Sequence, residues 1–246
     1  MSFPGSFGTY RIPDHQNPTI FLWDLRVDEP VTTITDLLLA AFLFFAFWRI
    51  HKLNCQSKIK NFLKYFFLTM GIATLSVGLV GHGFKYLFDK WWKLPGWWIS
   101  MLSTALIERA SIFYARNLLQ PRLGKVFGVA NLIELSVFMI LLLVALDFYW
   151  VVVHTAYGFL VVVGGFNAYV FIRTRSKAAF WMLMSVASTG CCAIVYIFEL
   201  VIDEWFNHLD LAHIFMILSA WFMYQGALIM VNDPLQKAKI GNTLSK

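Results

Sequence analysis

Seven long runs of apolar residues, separated by charged residues or by proline and glycine, dominate this sequence. A helix that crosses a lipid bilayer needs about 20 mostly apolar residues. Because lipid offers no hydrogen-bond partners to an open backbone, helix is the expected state of each run. The predicted spans cover residues 31–50, 62–88, 97–118, 126–146, 149–171, 178–202 and 209–231.

The composition agrees with a membrane protein and excludes an ordinary soluble domain. Hydrophobic residues make up 59% of the 246 residues and charged residues 14%, whereas about 25% of a soluble domain is charged. Seven spans leave short loops and no room for a second soluble domain. We therefore predict an all-α, multi-pass integral membrane bundle over residues 31–231. An extramembrane segment, residues 1–30, precedes it, and a cytoplasmic tail, residues 232–246, follows it.

The lysines and arginines predict the orientation of the bundle. Fourteen of the twenty lie in the loops between helices 1 and 2, 3 and 4, and 5 and 6, or in the C-terminal tail, and five lie on the opposite side. By the positive-inside rule the amino terminus is outside and the carboxyl terminus is cytoplasmic. Since these residues form no basic stripe, we expect membrane lipids and no nucleic acid as partners.

Five of the seven predicted helices carry an ionisable residue near their outer ends. Such residues are costly in lipid and usually face the bundle interior or a water-filled cavity. Their common depth predicts one polar layer in the outer third of the bundle. The residues of this layer are Asp36, His82, His154, Glu199, Asp210 and His213.

Part of this layer has the chemistry of a zinc site. Imidazole and carboxylate groups from His82, Asp210 and His213 suit zinc, and the last two are three residues apart on one helix face. A catalytic zinc ion keeps one open position for water, whose pKa it lowers to about 7. The candidates for general base or orienting group are Glu199, Asp36 and His154. The alternative is that all these groups only form hydrogen bonds between helices.

A second polar cluster is predicted deeper in the bundle. Glu108 and Arg109 lie in the middle of helix 3, and Glu134 lies in the inner half of helix 4. Arg109 paired with either glutamate would neutralise buried charge as a structural ion pair. A proton relay is the alternative interpretation.

Three stretches resemble a bacterial group of seven-helix proteins in the CREST superfamily, which includes alkaline ceramidases and the progestin and adipoQ receptors. They are EPVTTITD at residues 29–36, GLVGHGF at residues 78–84 and NHLDLAH at residues 207–213. The layout of seven spans is similar across nearly the whole chain. The resemblance implies a membrane-embedded, zinc-dependent amide or ester hydrolase that acts on lipids.

The resemblance also implies particular ligands. His82 matches the helix-2 zinc ligand of the superfamily, and His213 matches the second of its two helix-7 ligands. Two positions depart from the superfamily pattern, because Gly78 replaces the serine of Ser-x-x-x-His and Leu209 replaces the first histidine of His-x-x-x-His. The neighbouring Asp210 is the expected replacement ligand.

The sequence therefore favours hydrolysis of a lipid amide or ester by a zinc-activated water in an outer pocket. One alternative is a non-enzymatic heptahelical protein, which binds a ligand or serves as a subunit of a membrane complex. Another alternative is a proton-coupled transporter that uses Glu108, Arg109 and Glu134 as a relay.

Overall fold

The computed structural model describes residues 18–233 as a bundle of seven helices, one for each predicted apolar run. Residues 1–17 of the predicted N-terminal segment and residues 234–246 of the predicted tail lie outside the described residues. Two short antiparallel strands, β1 (Thr19–Leu22) and β2 (Leu25–Asp28), form a hairpin before the first helix. The helices are α1 (Pro30–His51), α2 (Lys58–Gly83), α3 (Lys90–Ala115), α4 (Pro121–Ala145), α5 (Tyr149–Thr174), α6 (Lys177–Ile197) and α7 (His208–Asn232).

Six helices in the described part of the chain are long and apolar enough to cross a membrane. The exception is α3, which is 26 residues long but carries Glu108 and Arg109 in its middle. It is also a central helix, because it packs against α2, α4 and α5. Its polar residues therefore face neighbouring helices, and α4 on the periphery exposes a broad apolar face.

The remaining helices close the bundle around one large apolar core. α1 packs between α2 and α7, α7 packs along α6, and α6 contacts α5. Side chains from these helices and from the inner part of α3 fill the core, whose largest fully buried members include Phe67, Tyr114 and Met223. A smaller cluster around Trp97 and Met101 joins α3 to α4 and α5 near the hairpin end.

Helix starts follow capping residues in the sequence. Pro30 occupies the first turn of α1, where its missing amide is tolerated. Ser57 caps α2 by accepting a hydrogen bond from the Lys60 amide over 3.0 Å. At α7, the Asn207 side chain accepts from the Leu209 amide, and the Asp210 carboxylate accepts from the Asn207 amide over 2.8 Å. This capping box fixes the first turn of α7, which carries two predicted site residues.

Helix α6 ends at Ile197, upstream of the predicted boundary at residue 202. Glu199 adopts a left-handed conformation with φ 47°, and the Leu200 amide donates to the Val195 carbonyl over 3.1 Å. This pattern is a Schellman motif, which terminates a helix. Hydropathy did not reveal it, because the residues that follow Ile197 are still mostly apolar.

Among the described helices, two contain a π-helical segment. One is Val77–Gly83 at the end of α2, and the other is Tyr157–Val163 within α5. Such segments are rare and occur frequently at functional sites. Here His82 lies inside the first segment, and His154 lies just before the second.

Candidate functional site

Five ionisable residues meet where α1, α2 and α7 approach the hairpin. We call this group the Asp36 cluster. The side chains of Asp36 and Asp210 are almost fully buried, and that of His82 is 16% exposed. The cluster thus lies just below the surface at the hairpin end of the bundle. Its members are Glu29, Asp36, His82, Asp210 and His213.

The imidazole of His82 is oriented by Glu29. Its Nδ1–H donates a hydrogen bond to Glu29 Oε2. Its other nitrogen, Nε2, faces Asp36 Oδ2 at 3.9 Å. With Nδ1 engaged by Glu29, Nε2 is directed at a second carboxylate.

His213 is held in the same way by a different partner. The Thr35 hydroxyl donates its only hydrogen to the Thr32 carbonyl over 2.9 Å. It must therefore accept from His213 Nδ1, which lies 2.8 Å away. The free Nε2 of His213 then faces Asp36 Oδ1 at 3.4 Å. Both imidazoles thus present Nε2 to one carboxylate.

Two carboxylate oxygens of this cluster are buried without a hydrogen-bond partner. They are Oδ2 of Asp36 and Oδ1 of Asp210. The second oxygen of Asp210 is used by the capping box of α7. A buried polar atom without a partner costs about 1–3 kcal/mol, so this arrangement has unused capacity for a cation or a proton.

The carboxyl group of Glu29 has a lowered pKa and is therefore ionised at neutral pH. Burial acts to raise the pKa of its carboxyl group, but hydrogen bonds and charges from His82 and Lys85 outweigh burial and lower that pKa to about 2. Lys85 Nζ donates to Glu29 Oε1 over 2.6 Å. The backbone of Glu29 is left-handed, with φ 44°, a strained conformation that is typical of functional sites.

Gly78 packs directly against the cluster. A Cβ atom added to Gly78 would lie 2.7 Å from the Cβ of Asp36. No side chain fits there without displacing α1 from α2. Gly78 therefore allows Asp36 to lie between the two histidines.

A second group of ionisable residues lies between α3, α4 and α5. Glu108, Glu134 and His154 each offer one ligand atom, and these atoms all lie within 4.8 Å of one another. We call this group the Glu108 cluster. His154 Nε2 is 3.3 Å from Glu134 Oε1, and Glu108 accepts a short hydrogen bond from the Asn131 side chain.

Arg109 does not form the predicted ion pair. Within residues 18–233, Arg109 makes no ion pair with Glu108 or Glu134. Instead it donates to Asn131 Oδ1 over 2.9 Å and to the Gly128 carbonyl over 2.8 Å. Because Arg109 and Glu108 are adjacent on α3, their side chains diverge, and Asn131 of α4 bridges them.

One family model matches the chain over all seven helices. The family of unknown function DUF6962 matches residues 31–232. The chain belongs to this family. No curated protein and no solved structure matches the chain.

For this DUF6962 protein the structure separates the predicted polar layer into two groups. Asp36, His82, Asp210 and His213 come together, whereas His154 joins the Glu108 cluster. Glu199 lies in the exposed segment after α6, where its carboxylate makes no hydrogen bond or ion pair with any described residue.

Two residues of the site have no distinguishing signal in the sequence. Glu29 precedes the first predicted span, so its charge does not mark it as a residue of the bundle interior. Thr35 is neutral, and its role depends on its contact with His213 across the bundle. Both of them lie in the stretch at residues 29–36, just before and within the first turns of α1.

Proposed function

We propose that this protein spans a membrane seven times, binds zinc in the Asp36 cluster and hydrolyses an amide or ester bond of a lipid. One observation carries the proposal. Both histidines have Nδ1 engaged by an orienting partner and Nε2 directed at the same buried carboxylate. Metal-ligating histidines are held in this way in most metalloproteins.

The charges of the cluster also favour a bound cation. Glu29, Asp36 and Asp210 lie within electrostatic range of one another. Lys85 balances Glu29, with which it pairs directly. The other two carboxylates are those of Asp36 and Asp210. Asp36 shares His82 with Glu29, and Asp36 Oδ2 and Asp210 Oδ1 have no hydrogen-bond partner. A divalent cation supplies the missing charge, and two imidazoles with carboxylates are a donor set that zinc accepts.

Each residue of the cluster then has a definite role. His82, His213 and Asp36 hold the ion, while Glu29 and Thr35 orient the two imidazoles. Asp210 Oδ1 is free to act as a further ligand or to accept a proton. When bound, zinc supplies Lewis acidity and lowers the pKa of a coordinated water toward neutrality.

A lipid is the substrate that agrees with the setting of the site. The cluster is built by three apolar helices, of which α1 and α7 both expose large apolar side chains on their outer faces, among them Leu38 and Ile214. The resemblance to the CREST superfamily points to the same substrate class. The orientation, with the cluster on the outer side, is supported by the distribution of lysines and arginines.

Elemental analysis tests the metal site. Relative to the wild type, protein purified without chelator or histidine tag should lose about one zinc ion per chain in both His82→Ala and His213→Ala. His51→Ala is the matched control, because His51 is exposed at the far end of α1 and should keep the wild-type zinc content. Wild-type zinc content in the His82 and His213 variants would exclude this site.

Lipid turnover tests the reaction. Wild type and Asp36→Asn are compared on micelles that contain an N-acyl amide lipid or a glycerophospholipid ester. We expect release of fatty acid from one of the two by the wild type only. Bound zinc without turnover of either lipid would contradict hydrolysis and favour the non-enzymatic alternative.

A further inference from the structure

The Glu108 cluster borders a cavity that the proposed reaction does not use. The cavity has a volume of about 340 Å³ and lies between α3, α4 and α5. Apolar and aromatic side chains line most of it. Glu108, Asn131, Glu134 and Tyr157 contribute its polar groups. The cluster is therefore accessible from one side, although His154 and Glu108 themselves are fully buried.

Five polar atoms of this cluster are buried without a hydrogen-bond partner. They comprise both oxygens of Glu134, one oxygen of Glu108 and both ring nitrogens of His154. Native proteins leave few such atoms, and each one indicates an unseen partner or a functional role. Their concentration within 4.8 Å indicates a single partner that contacts all three side chains.

The charge of the cluster favours a cation as the partner. Two carboxylates in an apolar environment are unfavourable when ionised unless a cation accompanies them. The nearest arginine, Arg109, directs its Nε and Nη2 to Asn131 and to a backbone carbonyl. A divalent cation would balance both glutamates, and the neutral imidazole of His154 would supply the third ligand.

We propose that Glu108, Glu134 and His154 form a second divalent-cation site, with access through the cavity between α4 and α5. The site is independent of the Asp36 cluster and shares no residue with it. One imidazole and two carboxylates are ligands of the kind found in zinc and manganese sites.

The backbone around the site is adapted to this arrangement. Gly158 follows His154 by one helical turn, and a Cβ atom added there would lie 2.1 Å from Glu108 Oε1. Gly158 also lies in the π-helical segment Tyr157–Val163. The absence of a side chain lets α5 approach α3 closely enough for His154 and Glu108 to share one ion.

Equilibrium dialysis with Zn²⁺ on metal-free full-length protein in detergent tests the second site. Wild type should bind about two ions per chain, and His154→Ala and Glu134→Gln should each bind about one. His213→Ala should also bind one, and the His154→Ala/His213→Ala double variant should bind almost none. Exposed Glu204 provides the matched control, since Glu204→Gln should bind two ions.

The outcomes distinguish the two sites. If the Asp36 cluster binds no metal, the wild type should bind one ion that is lost in His154→Ala and kept in His213→Ala. Wild-type binding in both His154→Ala and Glu134→Gln would overturn the second site.

X-ray absorption at the zinc edge provides a test that keeps the second site intact. In His213→Ala the remaining zinc should have one imidazole ligand and two carboxylates. More than one imidazole per zinc would assign that ion elsewhere and overturn the proposal.

Discussion

At the scale of single residues, the position of Asp36 depends on a residue without a side chain. A Cβ at Gly78 would lie 2.7 Å from the Cβ of Asp36, closer than real Cβ contacts. We expect Gly78→Ala to lower the free energy of unfolding by about 1–3 kcal/mol, as overpacking does. It should also weaken zinc binding, because Asp36 would be displaced.

Thermal unfolding in detergent measures this effect, and Gly190→Ala is the matched control. Gly190 is also a glycine within a long apolar helix, α6, but an added Cβ there has no neighbour within 4 Å. This variant should be as stable as the wild type or slightly more stable. Equal stability of the two variants would contradict close packing at Gly78.

Glu29 makes the stability of the protein depend on pH. Its pKa in the folded protein is about 2, against an ordinary value of 4.5. The carboxylate therefore contributes about 3 kcal/mol, which is complete above about pH 4.5 and lost as the pH falls toward 2. Glu29→Gln should be less stable than the wild type at pH 7, and the gap should shrink by pH 3. A gap that stays constant over this range would show that the charge of Glu29 is not responsible.

The sequence predicts a residue of this site only where the residue is ionisable and lies inside an apolar run at the depth of the others. Asp36, His82 and His213 are ionisable groups at similar depths in apolar runs, and the structure brings them together. Glu199 has a similar apparent depth, but the Schellman motif after Ile197 places it outside the helix. Contacts such as that of Thr35 with His213 depend on helix rotation, which composition does not specify.

At the scale of helices, α4 is held to the bundle by a polar link. Of the six helices that are long and apolar enough to cross a membrane, it is the most exposed, and its Asn131 connects Glu108 and Arg109 of α3. Asn131→Leu would remove a hydrogen bond from buried Glu108 and leave Nε of Arg109 unpaired, while Arg109 keeps its bond to the Gly128 carbonyl. We expect a loss of roughly 1–3 kcal/mol for each unpaired group and faster amide hydrogen exchange along α4.

Ser136→Ala is the control for this experiment. Ser136 is on the same helix, and its hydroxyl donates only to the Leu132 carbonyl of α4 itself. This variant should exchange hydrogen at the wild-type rate. Unchanged exchange in Asn131→Leu would show that apolar contacts alone hold α4.

Helix positions were predictable from hydropathy, but helix ends and internal irregularities were not. α2 and α3 begin at Lys58 and Lys90, upstream of the predicted spans, because their first turns carry lysines that interrupt the apolar runs. The π-helical segments have no signature in apolar content, because they alter the backbone and leave the composition unchanged. The position of His82 relative to Asp36 therefore required the structure.

At the scale of the whole molecule, the proposed orientation gives the two ends of the bundle different accessibility. Glu204 is exposed in the segment between α6 and α7, and Asn54 is exposed between α1 and α2. In a cysteine-free background, Glu204→Cys should react with a membrane-impermeant maleimide on intact cells. Asn54→Cys should react only after the membrane is opened. The opposite pattern would reverse the orientation and place the Asp36 cluster on the cytoplasmic side.

The π-helical segment at the end of α2 has a further consequence for the Asp36 cluster. A π-helical turn holds one more residue than an α-helical turn of similar length, so it absorbs an extra residue locally and keeps the flanking helix in register. If the same residues of Val77–Gly83 formed a regular α-helix, the end of the segment would be rotated by up to about 100°, and His82 would point away from Asp36. The geometry of the Asp36 cluster is thus encoded by the backbone of this segment as well as by the identity of its residues.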